Sequence, residues 1–274
     1  VLYVSDDGST DATLQIIKNF AEKVGQEKVV IFSGPHNGFA ANFLSLVHHD
    51  EIEADYFSFA DQDDVWLPKK IEVALNWLIK QPANIPALYC SRTILIDAKG
   101  KVFGQSDLFS RAPSFANALV QSIGGGNTMV LNRAARDLVS AHSPQDGIVS
   151  HDWWVYILVS GNEGSIKYDP IGSVLYRQHG RNLVGMNGTW MARVKRAVLL
   201  FRGRFRVWND RHEKLIEGNA GFLTKTNLVI FDEFKKMRQL GFVKRIMVLR
   251  NSPLYRQTYL GNLGLVIGNA FKKV

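Results

Sequence analysis

Residues 57–66 read FSFADQDDVW, an apolar run that ends abruptly in three carboxylates. The apolar part predicts a buried strand over Tyr56 to Phe59, so the acids lie where this strand emerges at its C-terminal edge. In open α/β sheets that edge is where ligands bind. Like charges this close repel one another unless a cation relieves them, so the segment favours a cation site over the alternative of a solvated acidic turn.

Asp61 and Asp63 are the first candidates for ligands of that cation. They flank a single residue, and in an extended segment two such side chains point the same way. Two carboxylates can share one divalent ion, and hard oxygen ligands favour magnesium, calcium or manganese over zinc.

The first half of the chain alternates predicted strands and helices. Apolar residues recur at helical spacing after the first strand, as at Leu14, Ile17 and Phe20. This order is typical of a mostly parallel sheet with helices on both faces, so we predict an α/β fold. The predicted strands are Val1–Val4, Val29–Phe32 and Tyr56–Phe59, and the predicted helices follow Asp11, begin at Asn37-Gly38 and span Pro68–Gln81.

After Pro86 the pattern changes. Asp97–Lys101 is a predicted hairpin turn. The three glycines at 124–126 predict either a backbone close to a ligand or a flexible turn. The other predicted strands are Ala87–Ile96, Thr128–Leu131, Ser165–Tyr168 and Ser173–Arg177, and the other predicted helices are Phe115–Gln121, Arg133–Ala141 and Asp152–Ser160.

Composition and charge divide the chain into a near-neutral body and a basic tail. The 274 residues are 46% hydrophobic, as in an ordinary globular protein, and contain one cysteine, so a disulfide within the chain is excluded and a reducing cytoplasm is expected. Residues 1–188 hold 15 Lys and Arg against 20 Asp and Glu, whereas residues 189–274 hold 18 against 5. The net charge of +8 therefore comes entirely from the tail.

Asp152 is a candidate general base. It lies at a predicted helix start beside Trp153 and Trp154, and partial desolvation raises the pKa of a carboxylate toward a value useful for accepting a proton. The alternative is that Asp152 caps the helix while the two indoles pack in the core.

A second set of candidates follows the last predicted strand. His179 could complete a metal site, and Arg177 or Arg181 could neutralise phosphate charge. A lone histidine is more often simply a hydrogen-bonded polar residue, and that alternative stays open.

Asp6 and Asp7 follow the first predicted strand and therefore lie at the same sheet edge as the acidic segment. Carboxylates there could accept hydrogen bonds from a ribose or a base N–H. The alternative is a turn that caps the next helix.

These segments resemble the family 2 glycosyltransferases, which have the GT-A fold, and in particular their bacterial rhamnosyltransferase-like branch. The resemblance extends over residues 1–185. Single motifs of this kind are weak signals, but six in the expected order are a strong one. The six are Val4–Asp11, Asn37-Gly38 with Asn42, Asp61–Trp66, Gly126–Met129, His151–Trp154 and Tyr176–His179.

The resemblance implies a role for each acidic candidate. Asp61 and Asp63 are similar to the family's Asp-x-Asp motif, in which carboxylates and a divalent ion, Mn²⁺ or Mg²⁺, hold the donor's diphosphate. Asp6 or Asp7 is similar to the acid that contacts the donor's nucleoside. Asp152 is similar to the catalytic base of an inverting transferase, which takes the proton from the acceptor hydroxyl.

The remaining site residues also come from the resemblance. His179 matches a position that can serve as a further metal ligand. Asn37, Gly38, Asn42 and Arg177 are expected around the nucleotide sugar.

The resemblance implies the partners as well. They are a dTDP- or UDP-sugar donor, with rhamnose as the suggested sugar, and a cell-surface polysaccharide or lipid-linked glycan as acceptor. The family begins with a further strand and helix before the segment at Val1, so we expect that about 30 or more residues of a βα unit are missing from this chain. The glycine-rich segment at 124–127 differs from the form expected in the family, and the acceptor preference stays open.

We predict two parts, a catalytic domain over residues 1–186 and a basic helical appendage over residues 187–274. Basic and bulky apolar residues mixed at helical spacing suit an anionic membrane surface, so we expect a cytoplasmic protein that is peripheral on the inner face of the cell membrane. The apolar runs are too short for a membrane span. The alternative is that the tail helices pack on the catalytic body or on a second subunit, and nucleic-acid binding is not expected.

Two other functions stay open. One is a transferase whose acceptor is a polyprenyl phosphate, which would need no strong base. The other is a non-catalytic, membrane-associated module that binds nucleotide.

Overall fold

The computed structural model describes residues 1–144, 147–178 and 203–274. In these ranges the chain forms eight strands and ten α-helices. The strands are β1 (Leu2–Asp6), β2 (Val29–Ser33), β3 (Tyr56–Ser58), β4 (Val65–Trp66), β5 (Ala87–Ile96), β6 (Val102–Gln105), β7 (Val130–Asn132) and β8 (Ser165–Arg177). The helices are α1 (Thr13–Val24), α2 (Gly38–Val47), α3 (Lys70–Leu78), α4 (Phe115–Ala118), α5 (Arg133–His142), α6 (His151–Gly161), α7 (Arg204–Gly218), α8 (Lys225–Gln239), α9 (Phe242–Asn251) and α10 (Tyr259–Ala270).

The strands form two sheets. β1 and β2 pair in parallel as a two-stranded sheet. The larger sheet has six strands in the order β3-β7-β5-β8-β4, with β6 paired to β5. The predicted α/β class is confirmed.

The prediction of a mostly parallel sheet is correct for β1 and β2 but wrong for the larger sheet. There only β5 and β8 run parallel, and the other pairs are antiparallel. For β5 and β6 the reason is connection length, because parallel strands need a crossover of about a dozen residues or more. The hairpin turn at Asp97–Lys101 is too short for that.

Two of the predicted strands are one strand in the structure. β8 runs through both predicted segments, Ser165–Tyr168 and Ser173–Arg177, and a register shift opposite Ser91 and Thr93 absorbs the irregularity between them. Pro170 interrupts the hydrophobic pattern without ending the strand.

Helix α6 forms the centre of the main core. Its sequence HDWWVYILVSG is apolar almost all round, and Asp152 alone among its residues is not fully buried. Leu88 and Cys90 of β5 pack in the same core, and so do Ile216 and Phe231 of the tail helices.

The tail helices are joined to the catalytic body by polar contacts as well. The side-chain amide of Asn227 on α8 donates to the carbonyl oxygens of Ser160 and Gly161 at 3.1 and 3.0 Å. That of Asn117 on α4 donates to the carbonyl of Tyr255 at 2.9 Å. This packing is the alternative that the sequence left open for the tail. The predicted boundary at residues 186 and 187 lies outside the described residues.

Among the helices of the described ranges, none has the length and hydropathy needed to cross a bilayer.

Candidate active site

The acidic residues lie on a loop that crosses the larger sheet. The loop, residues 59–64, leaves β3 at one end of the strand order and enters β4 at the other. The loop is not extended throughout, because Gln62 and Asp63 form a turn.

Asp61 is the most perturbed carboxyl group of this loop. Its burial, followed by the negative charges of Asp64, Asp63 and Asp152, raises its pKa from 3.8 to about 7. The structure therefore brings the candidate metal ligands and the candidate base close enough to interact. A positive charge at this point would remove the repulsion among the four carboxylates.

Asp64 holds the end of the loop in place, a role that the sequence did not predict. Its carboxylate accepts a short hydrogen bond from the side-chain amide of Asn127 and another, at 2.9 Å, from the main-chain N–H of Arg177. Burial raises the pKa of Asp64, while these two hydrogen bonds oppose the shift. The signals in the sequence that could have indicated this pair are the third acid of the run and the Gly-Asn dipeptide at 126–127.

Arg177 also supports the acidic loop. Its guanidinium donates to the carbonyl oxygens of Asp63 at 2.9 Å, Asp97 at 3.3 Å and Ala98 at 3.1 Å. The side chain thus connects the loop to the β5–β6 turn. Its expected contact with donor phosphate stays a prediction.

Asp152 lies in the first turn of α6. One carboxylate oxygen accepts the N–H of Trp153 at 2.7 Å. The indole N–H of Trp153 in turn donates to the carbonyl of Ala118 at 2.7 Å, which anchors the helix start against α4. Asp152 is half-buried, and the indoles of Trp153 and Trp154 are buried in the core, which belongs to the alternative that the sequence left open for this helix start.

His151 connects Asp152 to three other parts of the site. Its buried ring stacks on Phe43 of α2 at a centroid distance of 4.2 Å and meets Phe59, the first residue of the acidic loop, edge-on at 4.8 Å. On another side it contacts Gly126, where an added Cβ would lie 2.1 Å from Nε2 of the ring. The glycine segment is therefore needed for close packing, and this use was not among the sequence-based alternatives.

The residues expected near the nucleoside form a cluster at the end of β1. Asp7 accepts the main-chain N–H groups of His36 at 2.6 Å and Gly38 at 3.1 Å, which fixes the start of α2. Asn42 exchanges two hydrogen bonds with Ser5, at 2.5 and 2.9 Å. α2 therefore joins β1 to the aromatic side chains around His151.

Asp6 and Asn37 complete that cluster. Oδ2 of Asp6 accepts the N–H of Ser9 at 3.2 Å, and hydrogen bonding to Ser9 lowers its pKa. Asn37 is exposed at the start of α2, and Gly38 has a φ of 83°, a conformation that favours glycine.

The side chains near the acidic loop determine whether a metal ion can bind there. In the described ranges, no three His, Cys, Asp or Glu side chains converge closely enough to hold a metal ion alone. His179 lies outside the described residues. Asp61 and Asp63 nevertheless fit a cation, because burial and then the neighbouring negative charges raise the pKa of Asp61, and a diphosphate can supply further oxygen ligands to Mg²⁺ or Mn²⁺.

Lys70 is a further buried group near the loop that the sequence did not single out. It is 1% exposed, donates from Nζ to Ser58 Oγ at 2.8 Å and lies 3.6 Å from the ring centroid of Trp66. Burial lowers its pKa to about 7. Since Ser58 precedes the acidic loop and Trp66 follows it, Lys70 connects the two ends of the loop.

The family model described as "Glycosyl transferase family 2" matches residues 2–121, which include β1, α2 and the acidic loop. Residues 2–121 therefore match glycosyltransferase family 2. This match confirms the predicted enzyme class, a glycosyltransferase, and the α/β structure agrees with the GT-A fold class that the resemblance implies. Asn127, Asp152 and Arg177 lie beyond the matched residues.

The chain is also similar to individual proteins described as glycosyltransferases. The chain is 29% identical over 210 residues to "dTDP-rhamnosyl transferase RfbG" of Shigella flexneri, which covers 73% of this chain and 70% of that protein. It is 35% identical over 81 residues to an "Uncharacterized glycosyltransferase" of Haemophilus influenzae, covering 29% of this chain and 30% of the relative.

Two solved structures are similar in shape, both at 14% identity. A mannosyltransferase of Pyrobaculum calidifontis in complex with GDP-Man and Mn²⁺ has a TM-score of 0.45 over 99% of this chain and 76% of its own. S. aureus TarS has a TM-score of 0.47 over 98% of this chain and 47% of its own. Scores this low support no inference about the site.

Proposed function

We propose that this glycosyltransferase inverts the anomeric carbon of a nucleoside-diphosphate sugar, with dTDP-rhamnose as the donor. The observation that carries the proposal is the acidic cluster, in which the half-buried Asp61 interacts with Asp63, Asp64 and the candidate base Asp152. The similarity to a protein named as a dTDP-rhamnosyl transferase supports the choice of donor. The proposed acceptor is a hydroxyl of a cell-surface or lipid-linked glycan at the cytoplasmic face of the membrane.

The diphosphate would lie at the acidic loop. Asp61 and Asp63 would hold a divalent cation there, with His179 as a further candidate ligand. When bound, the cation would supply positive charge to the departing diphosphate. Asp64, Asn127 and Arg177 would position the loop through the hydrogen bonds described above.

The nucleoside would lie at the end of β1. Both carboxylate oxygens of Asp7 accept main-chain N–H groups, so we assign the nucleoside contact to Asp6 and a positioning role to Asp7. Asn42 would keep α2 against β1, and Asn37 and Gly38 would form the adjoining wall of the donor site.

Asp152 would act as the base. Its carboxylate takes the proton of the acceptor hydroxyl as that oxygen forms a bond to the anomeric carbon. The bond from the anomeric carbon to the diphosphate oxygen breaks, and its electron pair leaves with dTDP. A single displacement inverts the configuration.

The tail would contribute to this reaction by packing on the catalytic domain as part of one folded unit. We propose the division into a catalytic domain, residues 1–186, and a helical appendage, residues 187–274, as a division of roles. Because the described tail helices share a core with α6, the two parts would not fold independently.

Transfer from dTDP-rhamnose to lipid-linked glycan extracted from bacterial membranes tests the proposal. Asp152→Asn is expected to lower kcat by about 10²–10⁴-fold and to leave the KM for the donor nearly unchanged, because a general base acts in the transition state. Asp137→Asn, at an exposed position on α5, is the matched control.

The product provides a second measurement, since NMR should show an inverted anomeric centre. If Asp152→Asn retained full activity, the proposed base would be wrong. A polyprenyl phosphate would then become the preferred acceptor.

A further inference from the structure

Helices α9 and α10 expose apolar side chains that the catalytic site does not use. On α10, Tyr259, Leu263 and Val266 are exposed at a spacing of four and three residues, which places them on one face of the helix. The opposite face, with Leu265 and Asn269, is buried. No charged residue occurs in α10, although a helix face exposed to water normally carries charged or polar side chains.

α9 shows the same arrangement. Val243, Met247 and Arg250 are exposed at the same spacing, while Arg245 and Leu249 face the core. The rings of Phe242, at the start of α9, and Phe271, just after α10, lie 6.2 Å apart. Both rings are exposed, so the apolar surface is continuous from the start of α9 to the end of α10, and we call the exposed faces of the two helices together the α9–α10 face.

The charge around this face is of one sign. Residues 234–274 contain nine Lys and Arg and no Asp or Glu. Four of the cations are engaged within the protein. Lys235 and Arg238 pair with acidic side chains of α7 and α8, the buried Arg245 donates to the carbonyl of Asn269, and Arg256 donates to the carbonyl of Val120. Those that remain exposed are Lys236, Lys244, Arg250 and Lys272.

We propose that the α9–α10 face binds the surface of an anionic lipid bilayer, with its apolar side chains in the acyl boundary and its cations at the headgroups. Apolar residues combined with unbalanced Lys and Arg are the features of helices that lie in the membrane interface. α10 has 12 residues and is therefore about 18 Å long, too short to cross a hydrocarbon core of about 30 Å. It would lie along the surface.

Other occupants fit this face less well. A second copy of the chain would bring the same unbalanced cations to the interface, where they would repel one another. A nucleic acid would match the charge but would leave the leucine and valine side chains uncovered. A bilayer satisfies both features.

The consequence for the enzyme rests on the proposed function. Attachment through this face would confine the active site to the membrane surface, where a lipid-borne acceptor is concentrated. Vesicle binding itself does not depend on that function and can be measured without any substrate.

The test is sedimentation of the full chain with phosphatidylcholine vesicles, with and without phosphatidylglycerol. Binding should require phosphatidylglycerol and weaken with salt. Leu263→Glu, at a side chain that is 47% exposed, should weaken binding about tenfold or more, because a carboxylate replaces an inserted leucine. Lys244→Gln should weaken it about fivefold.

Two control variants distinguish a change at this face from the same change of charge elsewhere on the protein. Val229→Glu introduces the same charge at a 58% exposed residue of α8, and Lys80→Gln removes a cation after α3; both should bind as the wild type does. Circular dichroism checks the fold, and Met247→Glu on α9, at a 60% exposed residue, replaces Leu263→Glu if that variant does not fold.

Three results would overturn the proposal. The first is a wild-type chain that ignores phosphatidylglycerol vesicles. The second is a loss of binding in Val229→Glu as large as that in Leu263→Glu. The third is a dimer in light scattering that Leu263→Glu dissociates, which would assign the face to a second copy.

Discussion

Asp61 combines burial with the charges of three neighbouring carboxylates, and both effects favour its protonated form. Its pKa rises from 3.8 to about 7 in the folded chain. The two aspartates of the Asp-x-Asp pattern could be recognised from spacing alone. The hydrogen bonds that hold the loop could not be predicted, because Asn127 lies 63 residues and Arg177 lies 113 residues from Asp64 in the sequence.

The first prediction concerns the stability of the metal-free protein. Between pH 4 and 7 unfolding releases a proton from Asp61, so rising pH favours the unfolded chain, and the effect is complete above about pH 7. Asp61→Asn removes the free-energy cost of ionising this carboxyl in the folded chain and should raise the free energy of unfolding at pH 8 by about 2 kcal/mol. Near pH 4 the gain should vanish.

Urea denaturation with a chelator present measures this difference. Asp50→Asn, at an exposed residue before β3, is the control and should change stability little at either pH. A gain for Asp61→Asn that is the same at pH 4 and pH 8 would mean that its carboxyl is not perturbed in the folded chain.

The positions of helices could be predicted well from the sequence, but the directions of the strands could not. The predicted bounds of α5 and α6 lie within a residue or two of the observed ones. A buried strand, by contrast, has the same apolar pattern whether its neighbours run parallel or antiparallel. At the turn of Asp97–Lys101, the short connection makes β5 and β6 antiparallel.

The second prediction concerns the contact between the glycine turn and α6. Gly126→Ala places a Cβ against His151 and should destabilise the fold by about 2–3 kcal/mol. His151→Ala removes the obstructing ring at the cost of a cavity. The double variant should therefore be more stable than the sum of the two single effects predicts, by about 1 kcal/mol or more.

Thermal or urea unfolding of the four proteins of this double-mutant cycle gives the coupling energy. Gly221→Ala is the matched control, because no heavy atom lies within 4 Å of the position where its Cβ would be. Strict additivity of Gly126→Ala and His151→Ala would show that the contact does not limit the packing there.

For the whole molecule, the charge count predicted a basic helical tail, but it could not show which tail residues serve the core. A helix that packs on the body and one that rests on a bilayer have the same amphipathic period. Arg245 illustrates the difficulty, since a cation from the basic tail is buried and bonded to Asn269. Only the three-dimensional arrangement separates these cations from the exposed ones.

We propose above that the acidic loop binds the donor's diphosphate through a divalent cation. Calorimetric titration of the chain with dTDP and with UDP, each with and without Mn²⁺, tests it most directly. We expect dTDP binding that requires Mn²⁺, that Asp61→Asn/Asp63→Asn abolishes and that Asp50→Asn preserves. Binding of equal affinity without Mn²⁺, or binding that survives in the double variant, would contradict the account.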